Sequence, residues 1–177
     1  MELIVTPRGG KSQGILKAGL MSFPCSLGRE GIIEDKCEGD HSTPIGTYPL
    51  RRVLFRPDRM KAPPLTGLPT AALWPDDGWC DDPNHSDYNT MVKLPHPAHC
   101  ETLWREDPSY DIVVVVGYND LPTKSGLGSA IFMHIARPGK NGADGYRPTE
   151  GCIALSAHDL LAVLAVCSFK ARLTIRP

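Results

Sequence analysis

Short apolar runs separated by turn residues fill the first sixty positions and predict β-structure. Alternating apolar and polar side chains between Gly or Pro residues are typical of half-buried strands. The predicted strands span residues 3–6, 14–17, 21–27 and 47–55. Residues 28–40 are polar and predict a surface loop. Helical periodicity is absent from this part of the sequence.

The strongest strand signal is the β-branched run DIVVVVGY at residues 111–118, which predicts a strand buried on both faces near the centre of a sheet. Shorter apolar runs predict further strands at 130–133, 153–155 and 171–175. Ser156 is a suitable helix N-cap, with Asp159 three positions later, and apolar residues recur at helical spacing behind it. Residues 156–168 therefore predict a helix, and the fold is mainly β with one C-terminal helix.

Residues 57–109 interrupt this pattern with many Pro, Gly and Asp residues and all three Trp. A long loop inside a compact domain is usually a lid or a binding surface. The patch GWCDDPNHSDYN at 78–89 is interpreted either as a wall of a peptide cleft or as a turn packed by Trp79 and Tyr88. We predict one domain over residues 1–177, with 57–109 as a loop-rich insertion.

Length, composition and charge limit the kinds of domain and binding partner that the chain can have. With 177 residues, 41% hydrophobic and a formal net charge of -1, the chain suits one well-buried domain and argues against nucleic-acid binding. The start, MELIVTPRGG, does not resemble a secretory signal, and no apolar run approaches a membrane span. We expect a monomer, and six irregularly spaced cysteines that are mostly free thiols.

A metal site deserves weighing because five His and Cys residues lie within twenty-one positions. Zinc accepts both ligand types. However, the segment lacks a repeated Cys-x-x-Cys element, and HPAHC has a proline between its histidines. We therefore predict no metal and no cofactor. The residues concerned are Cys80, His85, His96, His99 and Cys100.

The most informative stretch is AIFMHIARPGKNGADGYRPTEGCIAL, residues 130–155. It places His134 at the end of one predicted strand and Cys152 at the start of another, on either side of a Gly- and Pro-rich loop. An imidazole that takes the thiol proton generates a nucleophilic thiolate. Gly151 would let a substrate carbonyl approach the backbone amides beside the sulfur. The alternative is that Cys152 is simply a small buried hydrophobe.

These residues resemble the L,D-transpeptidase catalytic domain, the YkuD family. The resemblance rests on the strand-ending His134, the Gly-rich loop and Thr149-x-Gly151-Cys152 with an aliphatic residue after it. The segment STPIGTYP, residues 42–49, resembles the family's Thr-Pro-x-Gly-x-Tyr/Phe element. Together the two motifs extend the resemblance over roughly residues 20–156. It implies a mixed β-sandwich or barrel-like fold.

The same resemblance implies an activity on peptidoglycan stem peptides. Cys152 would form a thioester and release D-Ala, His134 would be its base, and an acceptor amine would resolve the thioester. With water as acceptor the enzyme would be an L,D-carboxypeptidase or endopeptidase. A non-catalytic peptidoglycan-binding module and a thiol hydrolase of other peptides are further alternatives. The compartment stays open between the cell envelope and the cytoplasm.

The chain also departs from the family pattern around both catalytic positions. Ile135, Glu150 and Ala154 stand where many members have Gly or Ser, His, and Arg or Asn. Arg137 or Arg147 would then supply the missing cation for a substrate carboxylate. Other predicted substrate contacts are Thr149, Tyr118 and Asn119, although the last two would equally suit a turn cap. A backbone carbonyl, or alternatively Glu150, would orient His134.

Overall fold

The computed structural model describes residues 1–139 and 145–177 of the chain. Residues 140–144, part of the loop at 137–148, lie outside the described residues. Of the described chain, fourteen segments are strands and one is an α-helix, which confirms a mainly β fold with one C-terminal helix.

The elements follow in chain order. The strands are β1 (Glu2–Arg8), β2 (Gly10–Ala18), β3 (Met21–Ser26), β4 (Ile32–Ile33), β5 (Thr43–Pro44), β6 (Gly46–Phe55), β7 (Thr70–Ala72), β8 (Asp77–Cys80), β9 (Met91–Lys93), β10 (Cys100–Thr102), β11 (Ile112–Val116), β12 (Phe132–Ile135), β13 (Ile153–Leu155) and β14 (Arg172–Ile175). The helix is α1 (Ala157–Val166), and Pro108–Tyr110 form a 3-10 turn.

Nine strands form one sheet that closes on itself. Their order is β11-β12-β13-β3-β2-β1-β14-β6-β7, and β11 also pairs with β6. This additional pairing makes the sheet barrel-like, as expected, and β11 has a hydrogen-bonded neighbour on both sides. The parallel pair of β1 and β14 places Glu2 opposite Arg172, so strands distant in sequence complete the barrel.

The β-branched run is buried on both faces, as predicted. All five residues of β11 are buried. Ile112, Val114 and Val116 point into the larger apolar core, whereas Val113 and Val115 belong to a smaller one. Alternate residues of a strand face opposite sides of the sheet, which explains this division. The smaller core also contains Cys152 and therefore adjoins the candidate nucleophile.

The helix begins where the sequence predicts and ends slightly earlier. Ser156 is the N-cap, and its Oγ accepts a hydrogen bond from the Asp159 N–H at 3.0 Å. Leu160, Val163 and Leu164 are fully buried in the larger core. Because Cys167 has an extended backbone, the helix stops at Val166. The helix thus braces the barrel directly after the strand that carries the Cys152 motif.

Within the loop-rich residues 57–109, the structure has four short strands that the sequence did not predict. β8, β9 and β10 form a separate three-stranded sheet, and β7 adds to the barrel beside β6. Trp79 from β8 lies edge-on to Phe132 of β12, with ring centroids 5.0 Å apart. This segment is called the insertion sheet below, meaning β8–β10. Its contact with the barrel strand β12 places it beside the candidate site.

Two boundaries differ from the sequence-based expectation. His134 is an internal residue of β12, which continues to Ile135. Residues 28–40 are not entirely loop, because β4 pairs in parallel with β5. Within residues 1–139 and 145–177, none of the helices has the length and apolar character needed to cross a bilayer.

Candidate active site

One cavity brings both candidate catalytic side chains together. It has a volume of about 370 Å³ and opens between the barrel and the insertion sheet. β12 supplies His134, and the turn into β13 supplies Cys152; these two strands are parallel neighbours, with His134 opposite Ala154. Other lining residues include Glu38, Asp81, His99, Glu101, Arg105, Tyr110, Ala130, Arg137, Arg147, Thr149 and Glu150.

The Cys152 thiol is held by backbone groups of the preceding segment. Its Sγ donates to the Ala130 carbonyl at 3.2 Å and accepts from the Phe132 N–H at 3.4 Å. Among the described residues, these are its hydrogen-bond partners. Burial, followed by the charge of Glu101, raises the pKa of Cys152 to about 12. The free site therefore holds a neutral thiol near neutral pH.

His134 is likewise neutral in the free site. Burial lowers the pKa of His134 to about 4; the hydrogen bond that Nδ1 donates to the Ile135 carbonyl opposes this shift, and the charge of Arg137 adds to it. The Nδ1 atom lies 2.9 Å from the Ile135 carbonyl oxygen. Since a carbonyl oxygen only accepts, Nδ1 carries the hydrogen and Nε2 keeps the lone pair. This agrees with the expected backbone carbonyl as the group that orients the ring.

The alternative that Glu150 orients His134 was wrong. The Glu150 carboxylate pairs with the Arg29 guanidinium and lies 2.5 Å from His41 Nδ1. Both partners come from the segment before β5. Glu150 therefore fastens this turn to the neighbouring segment.

The two sequence motifs touch at Gly151. This residue has φ of +140°, and a Cβ there would lie 2.8 Å from the Ser42 carbonyl oxygen, in the STPIGTYP segment. Such a conformation and such an approach both favour glycine. Thr149 secures the same turn, since its hydroxyl donates to the Cys152 carbonyl at 2.6 Å and accepts from the Gly151 N–H at 3.2 Å.

The chain matches a known protein family over most of its length. The family model described as "YkuD: L,D-transpeptidase catalytic domain" matches residues 9–175. The chain belongs to this family. The Cys152 turn, the His134 strand and the STPIGTYP segment all fall within the matched range.

One solved structure aligns with the chain at low sequence identity. The crystal structure of Mycobacterium tuberculosis L,D-transpeptidase 1 aligns with a TM-score of 0.41 and 13% sequence identity. The alignment covers 98% of this chain and 61% of that chain, so this chain spans about three fifths of the other protein's length. No curated protein matches the chain significantly.

In this YkuD-family domain, Arg137 and Arg147 lie side by side at the base of the loop that separates the motifs. The Arg147 N–H donates to the Arg137 carbonyl at 2.9 Å. Both side chains are exposed, and both residues line the cavity. They thus lie at the same cavity as Cys152.

Tyr118 and Asn119 have a different setting, because the described cavity lining does not include them. The Tyr118 hydroxyl donates to the Leu127 carbonyl. The Asn119 amide donates to the Lys124 and Gly128 carbonyls, both at 2.9 Å. Their side chains thus secure the 119–128 loop, in agreement with the turn-cap alternative.

Three cavity residues between positions 101 and 110 were missed by sequence reasoning. The Tyr110 hydroxyl donates to Glu101 Oε1 at 2.7 Å, and its ring lies edge-on to His134 with centroids 5.2 Å apart. Arg105 lies 3.8 Å from the same carboxylate and over the Tyr110 ring. Burial raises the pKa of Glu101 despite these contacts. These residues form the wall that faces the imidazole.

Asn89, predicted only as part of the patch at 78–89, supports the segment that holds the thiol. Its Oδ1 accepts from the Ala130 N–H and from Trp79 Nε1, both at 3.0 Å. Ala130 has a left-handed φ of 52°, and its carbonyl is the one that receives the Cys152 thiol. A left-handed non-Gly residue needs support from its surroundings. An Asn before a polar turn carries no sequence signal for such a distant role.

Proposed function

We propose that this chain is a cysteine-dependent L,D-transpeptidase acting on peptidoglycan stem peptides through one catalytic domain. The observation that carries the proposal is the shared cavity of Cys152 and His134, on adjoining strands of a YkuD-family domain. The hydrogen bond from Nδ1 to Ile135 leaves Nε2 as the base. A thiol and a neutral imidazole with a free Nε2 lone pair, lining one cavity, suit acyl transfer.

The free site is a resting state in this mechanism. A neutral thiol bonded to Ala130 is a weak nucleophile, since the thiolate is the attacking species. Substrate binding would turn Sγ from the Ala130 carbonyl toward His134 Nε2, which takes the proton. The Phe132 N–H, 3.4 Å from Sγ, remains available to stabilise the thiolate.

Acylation then follows from the positions of these groups. Sγ attacks the carbonyl between the L-centre of the diamino acid and D-Ala, and the oxygen becomes negative. The Cys152 N–H would stabilise this oxyanion, because the Gly151 N–H is directed at Thr149. The His134 imidazolium gives its proton to the departing D-Ala nitrogen. The C–N bond breaks, and a thioester remains.

Deacylation reverses the proton transfers. An acceptor amine attacks the thioester while neutral His134 takes one of its protons. When the C–S bond breaks, that proton returns to Sγ. The product is a new amide bond, and the thiol and the imidazole are both regenerated.

The charges in the cavity suit a substrate that carries both signs. Arg137 and Arg147 would bind carboxylates of the stem peptide, since guanidinium groups pair with them through two hydrogen bonds. Asp81 and Glu101, on the facing wall, would attract the free amine of the diamino acid. Thr149 acts in this proposal by positioning the Cys152 turn, as its two hydrogen bonds indicate.

The direct test is product analysis with a purified tetrapeptide muropeptide. The wild-type chain is expected to release D-Ala, form a cross-linked dimer and show a transient acyl adduct on Cys152 by intact mass spectrometry. Cys152→Ala should give neither adduct nor product. The control variant Cys37→Ser removes an exposed thiol that does not line the cavity and should retain activity.

Two other outcomes would change the assignment. Release of D-Ala without a cross-linked product would favour water as acceptor, and hence an L,D-carboxypeptidase. Cleavage of ordinary L-peptides with no action on muropeptides would favour a different thiol hydrolase. Equal activity of Cys152→Ala and wild type would overturn acyl transfer through this sulfur altogether.

A further inference from the structure

Three metal-binding side chains of the insertion meet on one side of its sheet. Their ligand atoms, from Cys80, His96 and Cys100, lie within 4.8 Å of one another. Cys80 and Cys100 are direct partners in the antiparallel pair of β8 and β10. Opposed residues of such a pair extend from the same face of the sheet. Two thiols and one imidazole form a donor set that zinc accepts.

His96 has its lone-pair nitrogen, Nδ1, beside Cys100. Its Nε2 lies 3.2 Å from Asp87 Oδ2, and a carboxylate accepts, so the neutral ring carries its hydrogen on Nε2. The lone pair is then on Nδ1, 3.4 Å from Cys100 Sγ. Histidine ligands commonly donate their second N–H to a carboxylate in this way.

We propose that Cys80, His96 and Cys100 bind one zinc ion, with water as the fourth ligand. Bonds of about 2.3 Å to sulfur and about 2.0 Å to nitrogen place tetrahedral ligand atoms roughly 3.5–3.8 Å apart. The three donors therefore need to approach by only about 1 Å. The His96 ring must also turn from the Ala98 N–H, which points at Nδ1 at 3.2 Å. Both thiols lose their protons to solvent on binding.

The prediction of no metal was based on the spacing of His and Cys residues along the sequence. The fold brings such residues together in another way. Strand pairing, rather than a Cys-x-x-Cys element, brings the two sulfurs together. Pro97, which lies between the two histidines of HPAHC, does not prevent metal binding, because only His96 of the two is a ligand in this proposal. His99 instead lies 2.6 Å from Asp81 through its Nδ1.

The location suggests what the ion does. Asp81 directly follows Cys80, and Glu101 directly follows Cys100; both line the catalytic cavity. A metal that joins β8 to β10 would fix this wall without contacting Cys152. Cys80 is fully buried, whereas His96 and Cys100 are partly exposed, so an ion has access from solvent. The inference is independent of the chemistry proposed for Cys152.

The test is zinc binding by the full-length reduced chain. After incubation with zinc chloride and desalting, wild type is expected to retain about one zinc per chain by elemental mass spectrometry. The double variant Cys80→Ser/Cys100→Ser should retain less than a tenth of that amount. A matched double variant, Cys37→Ser/Cys152→Ser, should keep the full amount, which excludes the exposed thiol and the catalytic thiol as ligands.

Cobalt provides a second measurement on the unaltered chain, in case the double variant does not fold. Binding of Co²⁺ should produce a sulfur-to-metal absorption that Zn²⁺ abolishes, and His96→Gln should reduce it at least tenfold. No retained metal in reduced wild type would overturn the proposal. Equal retention by the Cys80→Ser/Cys100→Ser variant would do the same, as would a Cys80–Cys100 disulfide that persists under mild reduction.

Discussion

The Cys152 thiol donates a hydrogen bond to the Ala130 carbonyl, 3.2 Å away, and not to the His134 imidazole, although both residues line one cavity. The thiol is thereby kept neutral in the free chain. In the proposed mechanism, activation would require rotation of Sγ toward Nε2. The free thiol is therefore a poor target for simple electrophiles, in contrast with thiol enzymes that hold a preformed thiolate.

Alkylation of the free chain tests this resting state. A thiol with a pKa near 12 has far less thiolate at pH 7.5 than an ordinary thiol. After allowance for its greater nucleophilicity, we expect Cys152 to react with iodoacetamide about 100-fold more slowly than exposed Cys37. Peptide mass spectrometry over time measures both rates in one sample. Equal rates would mean that Cys152 is a thiolate without substrate.

The pH dependence of stability tests the burial of His134. The unfolded chain protonates this residue below about 6.5, whereas the fold keeps it neutral until about pH 4. Burial of neutral His134 therefore costs no stability above pH 6.5. As the pH falls to 4, it lowers the free energy of unfolding by about 3 kcal/mol. Urea unfolding from pH 7.5 to 4 should show a shallower decline for His134→Gln. His158→Gln, at a 90% exposed side chain, should follow wild type.

Gly151→Ala should damage both stability and catalysis. The new Cβ would meet the Ser42 carbonyl at 2.8 Å, in a backbone conformation that disfavours side chains. We expect a loss of about 1–3 kcal/mol in urea unfolding and a fall in kcat, because the Cys152 turn must move. Gly10→Ala is the matched control, since nothing lies within 4 Å of its Cβ. Equal effects of both substitutions would contradict this explanation.

Asn89→Ala should have an effect that exceeds its small change in volume. Four buried or partly buried backbone and indole groups would lose a partner, among them the Ala130 N–H that positions the thiol acceptor. We expect about 2–4 kcal/mol of destabilisation in urea and a lower kcat. Asn84→Ala, at an exposed position of the same segment, should change unfolding by about 0.5 kcal/mol or less.

The sequence predicts the barrel strands and the helix well because their signals are local. These signals are the alternation of apolar and polar residues, the Ser156 cap and the β-branched run. Each depends on residues within a single element and can be read without knowing its partners. Cys152 and His134 were predicted as catalytic residues because they flank one Gly- and Pro-rich loop in a pattern that resembles the YkuD family. The STPIGTYP segment, by contrast, was recognised without a structural role. The structure shows that its Ser42 packs against Gly151.

The insertion sheet was not predictable for the opposite reason. Its strands are short and polar, and Cys80 pairs with Cys100 across twenty positions. Such strands form because neighbouring strands stabilise them, so the β-propensity of their residues does not predict them. Hence Glu101 of β10 was not predicted as a cavity residue.

Arg137→Ala tests substrate recognition separately from the nucleophile. If this guanidinium binds a stem-peptide carboxylate, loss of a charge-assisted contact should raise KM about 10- to 100-fold and change kcat little. Arg137→Lys keeps the charge without the planar fork and should fall between wild type and Ala. Steady-state kinetics on the tetrapeptide give both constants. Arg52→Ala, at an exposed position outside the cavity lining, is the control. A fall in kcat at constant KM would instead assign Arg137 to the reaction itself, because its charge also lowers the pKa of His134.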